Sequence, residues 1–327
     1  MKLNLYDIEL NRIAIIGEQF VSCLWTEGYN TPQSFTLELQ ETPEYRAKVK
    51  PDYYIGRDDR KTLMVIKTVQ FSGGRVIASG KQATRVLDDV IFVGTIPAGS
   101  RVTSSIKNAY DQSGKFPSVE ILASDITAKY PGQTSHKTIL ELCTLMCTSQ
   151  DVGIRAKRQG KTIAMEFYQP EANPNLVFSA NYGNLTVEGI TLSTENEKNY
   201  AVVLGEESAE NRVRVYVDLT GGEQKRAIIV DARDLQREEG EAEEAYHARL
   251  YARGLEKLLE KTKTWACAFT PSASDFGVRY DLGDIVTILL QEYGLKMQAR
   301  ITRITQKAQK NTTKTTVEVG KITIARS

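Results

Sequence analysis

The sequence predicts an α+β fold that is mainly β. Strand-like segments separated by glycine, proline and polar turns dominate both ends of the chain, a helix-and-hairpin pattern occupies the middle, and residues 235–263 form one long amphipathic segment. With 327 residues, 41% of them hydrophobic, the chain can form two or three domains of roughly 100–150 residues each. We expect three domains, at residues 1–95, 96–175 and 176–327.

The first domain is predicted to consist of short strands. Residues 34–39 alternate apolar and polar side chains, as a half-buried strand does. Residues 63–71 and 75–80 flank Ser72-Gly73-Gly74, a hairpin turn whose glycines allow positive φ. Two further strands are expected at residues 20–25 and 53–57. This density of strands and turns predicts a barrel or a small curled sheet.

The middle domain is predicted to be a small α+β module. A helix is expected at residues 81–90, near the end of the first domain, and a second helix is expected at residues 102–110 in the module. A third helix should begin after Thr138, because Thr138 and Glu141 have the spacing of a capping box. Its apolar stripe comprises Ile139, Leu142, Cys143, Met146 and Cys147. Strands at residues 153–158 and 162–168 then form a hairpin.

The last domain is again rich in strands. A turn is expected at residues 173–175, and strands are expected at residues 185–192, 200–204, 212–217 and 227–230. Residues 235–263 carry glutamates early and arginines and lysines late, an order that complements a helix dipole. Gly240 and Gly254 weaken this helix. We expect it to lie on the surface of a sheet.

Residues 280–324 show a strand, turn, strand, turn and strand. Asp281-Leu282-Gly283-Asp284 precedes the first of these strands. In the last strand the apolar residues occupy odd positions up to Val319 and even positions from Ile322 onwards, and Gly320 lies between them. A β-bulge at Gly320 would restore the facing of the side chains.

Candidate catalytic and metal-binding residues form no recognised motif. The carboxylate pairs Asp58/Asp59, Asp88/Asp89 and Asp281/Asp284 are expected in turns or on solvated faces, because adjacent side chains point apart. His136 and His247 belong to no H-E-x-x-H or H-x-E pattern. We expect no enzyme activity, no cofactor and no metal site.

The four cysteines are predicted to be free thiols. Cys143 and Cys147 share a helix face at i and i+4, but a metal would require further ligands. Cys23 and Cys267 complete the set, and none forms C-x-x-C. A disulfide is not expected in a protein that folds in a reducing cytoplasm.

Charge and hydropathy bear on whether the protein binds nucleic acid or a membrane. The net charge is +1, from 42 basic and 41 acidic residues, which argues against a general nucleic-acid binder or a membrane-surface protein. The apolar run at residues 13–16 is too short for a signal peptide, and no segment reaches the length of a transmembrane helix. We therefore expect a soluble protein made in a bacterial host cytoplasm, without membrane insertion.

Several segments, in their order, carry a family resemblance. The local match is closest at Asp281-Leu282-Gly283-Asp284-Ile285-Val286 with residues 300–304, and residues 66–90, 138–142 with 151–156, and 181–185 with 199–205 add to it. In this order they resemble the tail-tip hub proteins of siphophages. These are similar to the baseplate hub of contractile tails and to the N-terminal part of tail-associated lysin type proteins.

The resemblance implies two related β-barrel-like tube domains on either side of the α+β module, and a homotrimer that forms a pseudo-sixfold ring. The ring would continue the tail tube at the virion tail tip of a phage, a prophage or a phage-like injection particle, with DNA only as passing cargo. Implied partners are the distal tail protein or tail tube above, fibre, spike or receptor-binding proteins, and the tape measure protein. The chain stops at Ser327, after the last hub strand, which is expected for the hub alone.

The channel of such a ring should not be strongly basic, since it must let DNA pass. The residues expected to face it are Arg212, Arg214, Tyr216, Gln298, Arg300 and Thr302.

Two other functions remain open from the sequence. A tail-associated cell-wall hydrolase would require a paired-acid, Cys/His or metal site. An oligonucleotide-binding β-barrel would require aromatic rings beside basic residues, and Tyr53-Tyr54 near Arg57 and Arg60 is the nearest candidate.

Overall fold

The structure, a computed structural model, describes residues 1–60, 62–116, 118–206, 212–238, 240–261, 264–270, 276–309 and 312–324. The described residues form the following strands: β1 (Leu3–Tyr6), β2 (Arg12–Gly17), β3 (Ser22–Gly28), β4 (Ser34–Gln40), β5 (Tyr54–Arg57), β6 (Leu63–Ser72), β7 (Arg75–Gln82), β8 (Ile91–Ile96), β9 (Val119–Ile121), β10 (Thr134–Thr138), β11 (Gly153–Gln159), β12 (Thr162–Tyr168), β13 (Ala172–Phe178), β14 (Thr186–Ser193), β15 (Tyr200–Leu204), β16 (Arg214–Asp218), β17 (Ala227–Asp231), β18 (Thr264–Thr270), β19 (Ile285–Leu290), β20 (Leu295–Gln309) and β21 (Thr312–Ile324).

The α-helices are α1 (Pro43–Lys48), α2 (Val102–Gln112), α3 (Ile139–Leu142) and α4 (Glu243–Leu259). A seven-residue 3-10 helix lies at Ala83–Asp89, and single 3-10 turns lie at Ala180–Tyr182 and Gln291–Tyr293. Helix α3 continues into a π-helical turn at Cys143–Cys147. The prediction of a mainly β, α+β fold is confirmed. Within the described part of the chain, no helix combines the length and the hydropathy needed to cross a bilayer.

The chain divides into two compact units. Unit 1 comprises Met1–Glu188 and Ala268–Ser327, and unit 2 comprises Gly189–Cys267. Residues 1–95 and 96–175 both fall in unit 1, and residues 176–327 are shared between the units. The division into three domains at these bounds therefore stays a prediction.

The largest sheet has 13 strands in the order β14-β18-β21-β20-β3-β4-β7-β6-β5-β1-β2, and β19 joins it through β20 and β13. Its path is open, so the described strands form no closed barrel. Two smaller sheets, β10-β8 and β11-β12-β9, accompany it in unit 1. Strand β20 pairs with β3, β19 and β21 and so connects the two ends of the sequence within one sheet.

The alternation predicted for the first domain is confirmed in β4. Phe35, Leu37 and Leu39 are buried, and the residues between them are exposed or half-buried. Glycines at positions 73 and 74, with φ of 58° and 71°, close the β6–β7 hairpin as expected. The buried face of this sheet packs around Trp25, whose ring centroid lies 6.1 Å from that of Phe35.

The helical module shares a hydrophobic core with strands β1, β5 and β6, whose Tyr6, Tyr54 and Val65 belong to the same cluster. The capping box is present, since Thr138 Oγ1 accepts the Glu141 N–H and the Glu141 carboxylate accepts the Thr138 N–H. The helix predicted at residues 81–90 is a 3-10 helix, Ala83–Asp89, followed directly by strand β8. Ile139, Leu142 and Met146 pack in this second hydrophobic cluster of unit 1.

The predicted bulge in the last strand is confirmed. Ala299 pairs with Ile322 and Ile301 pairs with Val319, so β21 carries one extra residue between these pairs. A Cβ atom on Gly320 would lie 2.5 Å from Thr302 Cγ2, which is closer than real contacts allow. Glycine is therefore required at the bulge by the Thr302 side chain opposite.

The turn predicted at residues 173–175 is wrong. These residues lie within β13, which pairs with β19 in parallel and shows a register shift between Asn173 and Val177. Pro174 has no N–H to donate, and such a shift accommodates a proline inside a sheet. Asn173 Oδ1 accepts the Leu176 N–H at 3.2 Å and stabilises the irregular step.

Unit 2 is a three-stranded sheet, β16-β15-β17, with α4 packed on one face. The helix begins at Glu243 and not at residue 235, because Gly240 has a φ of 80°, which no helical residue adopts. A Cβ atom on Gly254 would lie 2.5 Å from Val203 Cγ2. Glycine thus allows the helix to approach the sheet closely, at a cost in helix propensity.

Candidate functional site

The carboxylate pairs Asp58/Asp59 and Asp88/Asp89, singled out in the sequence, form hydrogen bonds or ion pairs with nearby side chains of unit 1. Asp59 pairs with Arg57, and Asp58 accepts hydrogen bonds from Asn4 and Tyr6. Asp88 and Asp89 both lie beside Arg85, at 3.3 and 3.2 Å. Neither pair faces a shared cleft as two catalytic carboxylates would.

The two histidines lie apart and are exposed or half-buried. His247 Nε2 lies 3.8 Å from Glu243 on α4, and His136 is exposed on β10 with a φ of 50°. Across the described ranges, no group of three or more His, Cys, Asp or Glu side chains is arranged to hold a metal ion.

Cys23, Cys143 and Cys147 are buried free thiols, as expected. Burial raises the pKa of Cys143 to about 12, so the thiolate is disfavoured at neutral pH. The Cys267 side chain lies outside the described residues.

Asp281 and Asp284 lie in a tight turn before β19, as predicted. Asp284 accepts the Glu171 N–H with Oδ1 at 2.9 Å and the Asp281 N–H with Oδ2 at 2.7 Å. Burial raises the pKa of Asp284, and the two N–H donors oppose that shift. Gly283 has a φ of 90°, and a Cβ atom there would lie 2.7 Å from the Tyr29 ring. The turn is therefore built by backbone hydrogen bonds and one obligatory glycine.

Arg60 lies at the centre of a group of five side chains, here termed the Arg60 cluster: Trp25, Glu27, Arg60, Phe276 and Asp281. Trp25 and Glu27 are buried, the Arg60 side chain is 15% exposed, and the Asp281 side chain is 36% exposed. Arg60 Nη2 donates to Asp281 Oδ1 at 2.6 Å, and its guanidinium carbon lies 3.9 Å from the Phe276 ring centroid. Glu27, buried at 3% exposure, accepts the Trp25 indole N–H at 2.7 Å, and its Oε2 lies 3.9 Å from Arg60 Nε. The cluster borders a cavity of about 200 Å³.

A second ion-pair group lies on the β11–β12 hairpin beside the Arg60 cluster. Glu166 accepts from Arg155 at 2.9 Å and pairs with Lys157 at 2.7 Å. Burial acts to raise the pKa of Glu166, but the Lys157 and Arg155 hydrogen bonds outweigh it and hold that pKa below its usual value. Arg155 Nη1 also lies 3.9 Å from Asp281. The acidic and basic side chains of this group neutralise one another. We therefore interpret the group as a structural contact between the β11–β12 hairpin and the turn at Asp281, and not as a catalytic site.

A hydrogen-bonded junction fastens the helical module to the large sheet. Asn30, with a φ of 55°, donates to the Val152 carbonyl at 2.8 Å and accepts the Ile154 N–H at 2.9 Å. The Tyr29 hydroxyl donates to the same Val152 carbonyl at 3.0 Å, and burial raises the pKa of Tyr29 to about 12. The Tyr168 hydroxyl donates to the Leu282 carbonyl at 2.9 Å.

The channel-facing prediction combines residues of both units. In unit 1, Gln298, Arg300 and Thr302 share one face of β20 and line a groove of about 610 Å³. Arg300 is held there by the Asp151 carboxylate and the Gly283 carbonyl, both at 2.6 Å. Its charge is therefore compensated within the chain.

In unit 2, Arg214 and Tyr216 lie on the exposed face of β16. Arg212 precedes that strand and is held by Asp231 and the Leu204 and Gly205 carbonyls, with 12% of its side chain exposed. That these six residues face a channel stays a prediction.

The candidate aromatic-basic groove is not formed. Tyr54 lies in the core at 2% exposure, and Arg57 is 5% exposed and bonded to Asp59 and Gln306. These side chains therefore cannot offer the open stacking surface that single-stranded nucleic acid requires.

Comparisons with known proteins give the fold and the family. The fold is similar to that of the prophage tail protein gp18 from Listeria monocytogenes EGD-e, with a TM-score of 0.62, 11% identity, and coverage of 98% of this chain and 95% of that chain. The prophage MuSo2 43 kDa tail protein from Shewanella oneidensis matches with a TM-score of 0.64, 12% identity, and coverage of 98% of each chain. The tail protein from Neisseria meningitidis MC58 matches with a TM-score of 0.61, 12% identity, and coverage of 97% and 95%.

A search of curated proteins finds no match. A family model described as Siphovirus ReqiPepy6 Gp37-like protein matches residues 66–321, more than half of the chain. The resemblance to a siphophage protein family drawn from the sequence is thereby confirmed, and the chain belongs to the Siphovirus ReqiPepy6 Gp37-like family.

Proposed function

We propose that this protein is the hub of a siphophage or prophage tail tip, in which three copies form a pseudo-sixfold ring that continues the tail tube. Its role is structural and non-catalytic, and DNA passes through the ring. The ring contacts the distal tail protein or tail tube on one side, and fibre, spike or receptor-binding proteins and the tape measure protein on the other. It resides at the virion tail tip and assembles in the host cytoplasm. Family membership and the tail-protein fold support this role.

The observation that carries the ring proposal is the apolar edge strand β2, on which Lys48 Nζ donates to the Ile13 carbonyl at 2.8 Å. Among the described strands, β2 pairs only with β1 and ends the path of the largest sheet. Its outward Ile15 is 67% exposed, and Ile8 in the preceding turn is 53% exposed. An apolar edge strand invites pairing with another chain unless something covers it. Contact between copies at β2 would cover this edge, and closed symmetric rings arise from such contacts.

Charge supports passage of DNA without tight binding. The net charge is +1 over 327 residues, and Arg300 in the β20 groove is paired with Asp151. A channel wall with compensated charge neutralises few phosphates, so it gains little affinity from counterion release.

The ring proposal predicts the mass of the protein in solution and its sensitivity to a charge at β2. Light scattering of the wild-type protein should give three times the chain mass of 36.5 kDa. Ile15→Lys should lower the fraction of trimer at a fixed concentration by about tenfold or more, because the contact would bury an unpaired ammonium group. Light scattering over a dilution series measures both effects.

Ile229→Lys is the matched control. Ile229 is 70% exposed on β17 of unit 2, which belongs to a different sheet from β2. It should leave the trimer unchanged. A monomeric wild-type protein, or equal losses of trimer in both variants, would contradict a ring that closes through β2.

A further inference from the structure

Two neighbouring strands of unit 1 end in the same way. Strands β13 and β19 run parallel, with Phe178 opposite Ile288. Each is followed within three residues by a single 3-10 turn, Ala180–Tyr182 or Gln291–Tyr293. Each turn is ended by a left-handed glycine, Gly183 at φ 66° or Gly294 at φ 62°. The sequence signature is Tyr-Gly in both turns.

The tyrosine of each turn is exposed. Tyr182 is 62% exposed and Tyr293 is 60% exposed. A tyrosine at the end of a short turn could pack back on the strand, but neither does so here. Each of these exposed rings offers a face on which a flat ligand can stack.

A cleft of about 440 Å³ lies between the two turns. Leu185 and Leu290, both 5% exposed, contribute apolar surface, and Asn181, Gln291 and Glu292 contribute exposed hydrogen-bonding groups. This volume falls within the range of small-molecule sites, about 300–1,000 Å³. We define the Tyr–Gly cleft by Asn181, Leu185, Leu290, Gln291, Glu292 and Tyr293, with Tyr182 beside Asn181.

The charges of the cleft restrict the class of ligand. Glu292 is the one charged residue in its described lining, and no described lysine, arginine or histidine lines it. Phosphates and carboxylates bind cationic groups or helix N-termini, so this cleft does not suit them. Amide groups that both donate and accept, together with aromatic rings, suit a neutral ligand with many hydroxyl groups.

We propose that the Tyr–Gly cleft binds a neutral sugar ring of an oligosaccharide. Tyr293 stacks on an apolar C–H face of that ring, the Asn181, Gln291 and Glu292 side chains bond its hydroxyls, and Tyr182, on the neighbouring turn, contacts an adjoining sugar of the same oligosaccharide. A quaternary ammonium ligand is the competing chemistry, because aromatic rings beside a carboxylate also attract cations. The open exposure of both rings favours the sugar, since cation recognition gains its strength from a desolvated cage. This site is independent of the ring proposal and does not require three copies.

Saturation-transfer NMR tests the site with three neutral trisaccharides, maltotriose, cellotriose and chitotriose, and with tetramethylammonium. The full chain should transfer saturation to at least one trisaccharide. Tyr182→Ala and Tyr293→Ala should each weaken that binding about fivefold. Tyr216→Ala removes a tyrosine of similar exposure, 54%, in unit 2 and should leave the binding unchanged.

Thermal unfolding of each variant establishes that it is folded before binding is compared. Loss of binding in the two cleft variants alone supports the proposal. No transfer to any trisaccharide would overturn it, as would binding that survives both substitutions. Tighter binding of tetramethylammonium than of every trisaccharide would assign the cleft to cations instead.

Discussion

Arg60→Met is expected to lower the free energy of unfolding by about 3–5 kcal/mol, the cost of leaving a buried charge without its partner. The methionine removes the 2.6 Å ion pair with Asp281 and the stacking on Phe276. It also leaves the Glu27 carboxylate, with 4% of its side chain exposed, without a cation. Urea unfolding followed by circular dichroism measures the change.

Two variants separate this effect from the simple loss of an arginine. Arg46→Met removes an ion pair of equal length, 2.6 Å, to Glu41, but the Arg46 side chain is 66% exposed. It should cost less than about 1 kcal/mol, as exposed pairs do. Adding Glu27→Gln to Arg60→Met should recover part of the loss, because the uncompensated charge is then absent. Equal costs for the two arginine variants would refute the cluster's role in fastening the turn at Asp281 to the sheet.

Gly80→Ala is the second substitution with a large expected effect. Gly80 pairs with Ile66 in the β6–β7 hairpin, and a Cβ atom on it would lie 1.9 Å from the Val65 carbonyl oxygen. A backbone atom of a central strand cannot move aside as a side chain does. We expect a loss of about 3 kcal/mol or more of unfolding free energy, through local separation of β6 and β7. Thermal unfolding and hydrogen exchange at the hairpin measure it.

Gly189→Ala provides the comparison. Gly189 lies in β14, has no positive φ, and has no heavy atom within 4 Å of a would-be Cβ. Its substitution should leave stability unchanged or raise it slightly, since alanine reduces the freedom of the unfolded chain. A tolerated Gly80→Ala would mean that β6 and β7 are farther apart than described.

The sequence correctly predicted the elements that are determined by residues close together in the chain. Alternation marked β4, the two glycines marked the β6–β7 turn, Thr138 and Glu141 marked the start of α3, and the change of parity marked the bulge at Gly320. Each of these rests on residues within a few positions of one another. Gly80 lies in the segment 66–90 that contributed to the family resemblance. The reason why a glycine is needed there, the nearby Val65 carbonyl, is apparent only when the neighbouring strand is in place.

Several elements were not predicted correctly, because their structure depends on pairing with other strands. The run at residues 13–16 is the edge strand β2, and Ile91–Ile96 is strand β8, which pairs with the later strand β10. The proline at position 174 suggested a turn, whereas pairing with β19 keeps that segment in a strand.

The Arg60 cluster was also missed. It joins positions 27, 60, 276 and 281, which no spacing rule connects, and of its acidic members only Asp281 was singled out beforehand. The Tyr–Gly cleft carried a sequence signal, the repeated Tyr-Gly dipeptide. That signal acquires meaning only when β13 and β19 are known to be neighbours.

End-on electron microscopy of the purified protein tests the central claim most directly. The account predicts ring-shaped particles with threefold symmetry, six similar lobes around an open centre, and a mass of three chains. Each chain should contribute two of the lobes, as expected for paired tube domains. Particles of a single chain, or assemblies with twofold symmetry and no central opening, would contradict the proposal that this protein forms a tail-tip hub.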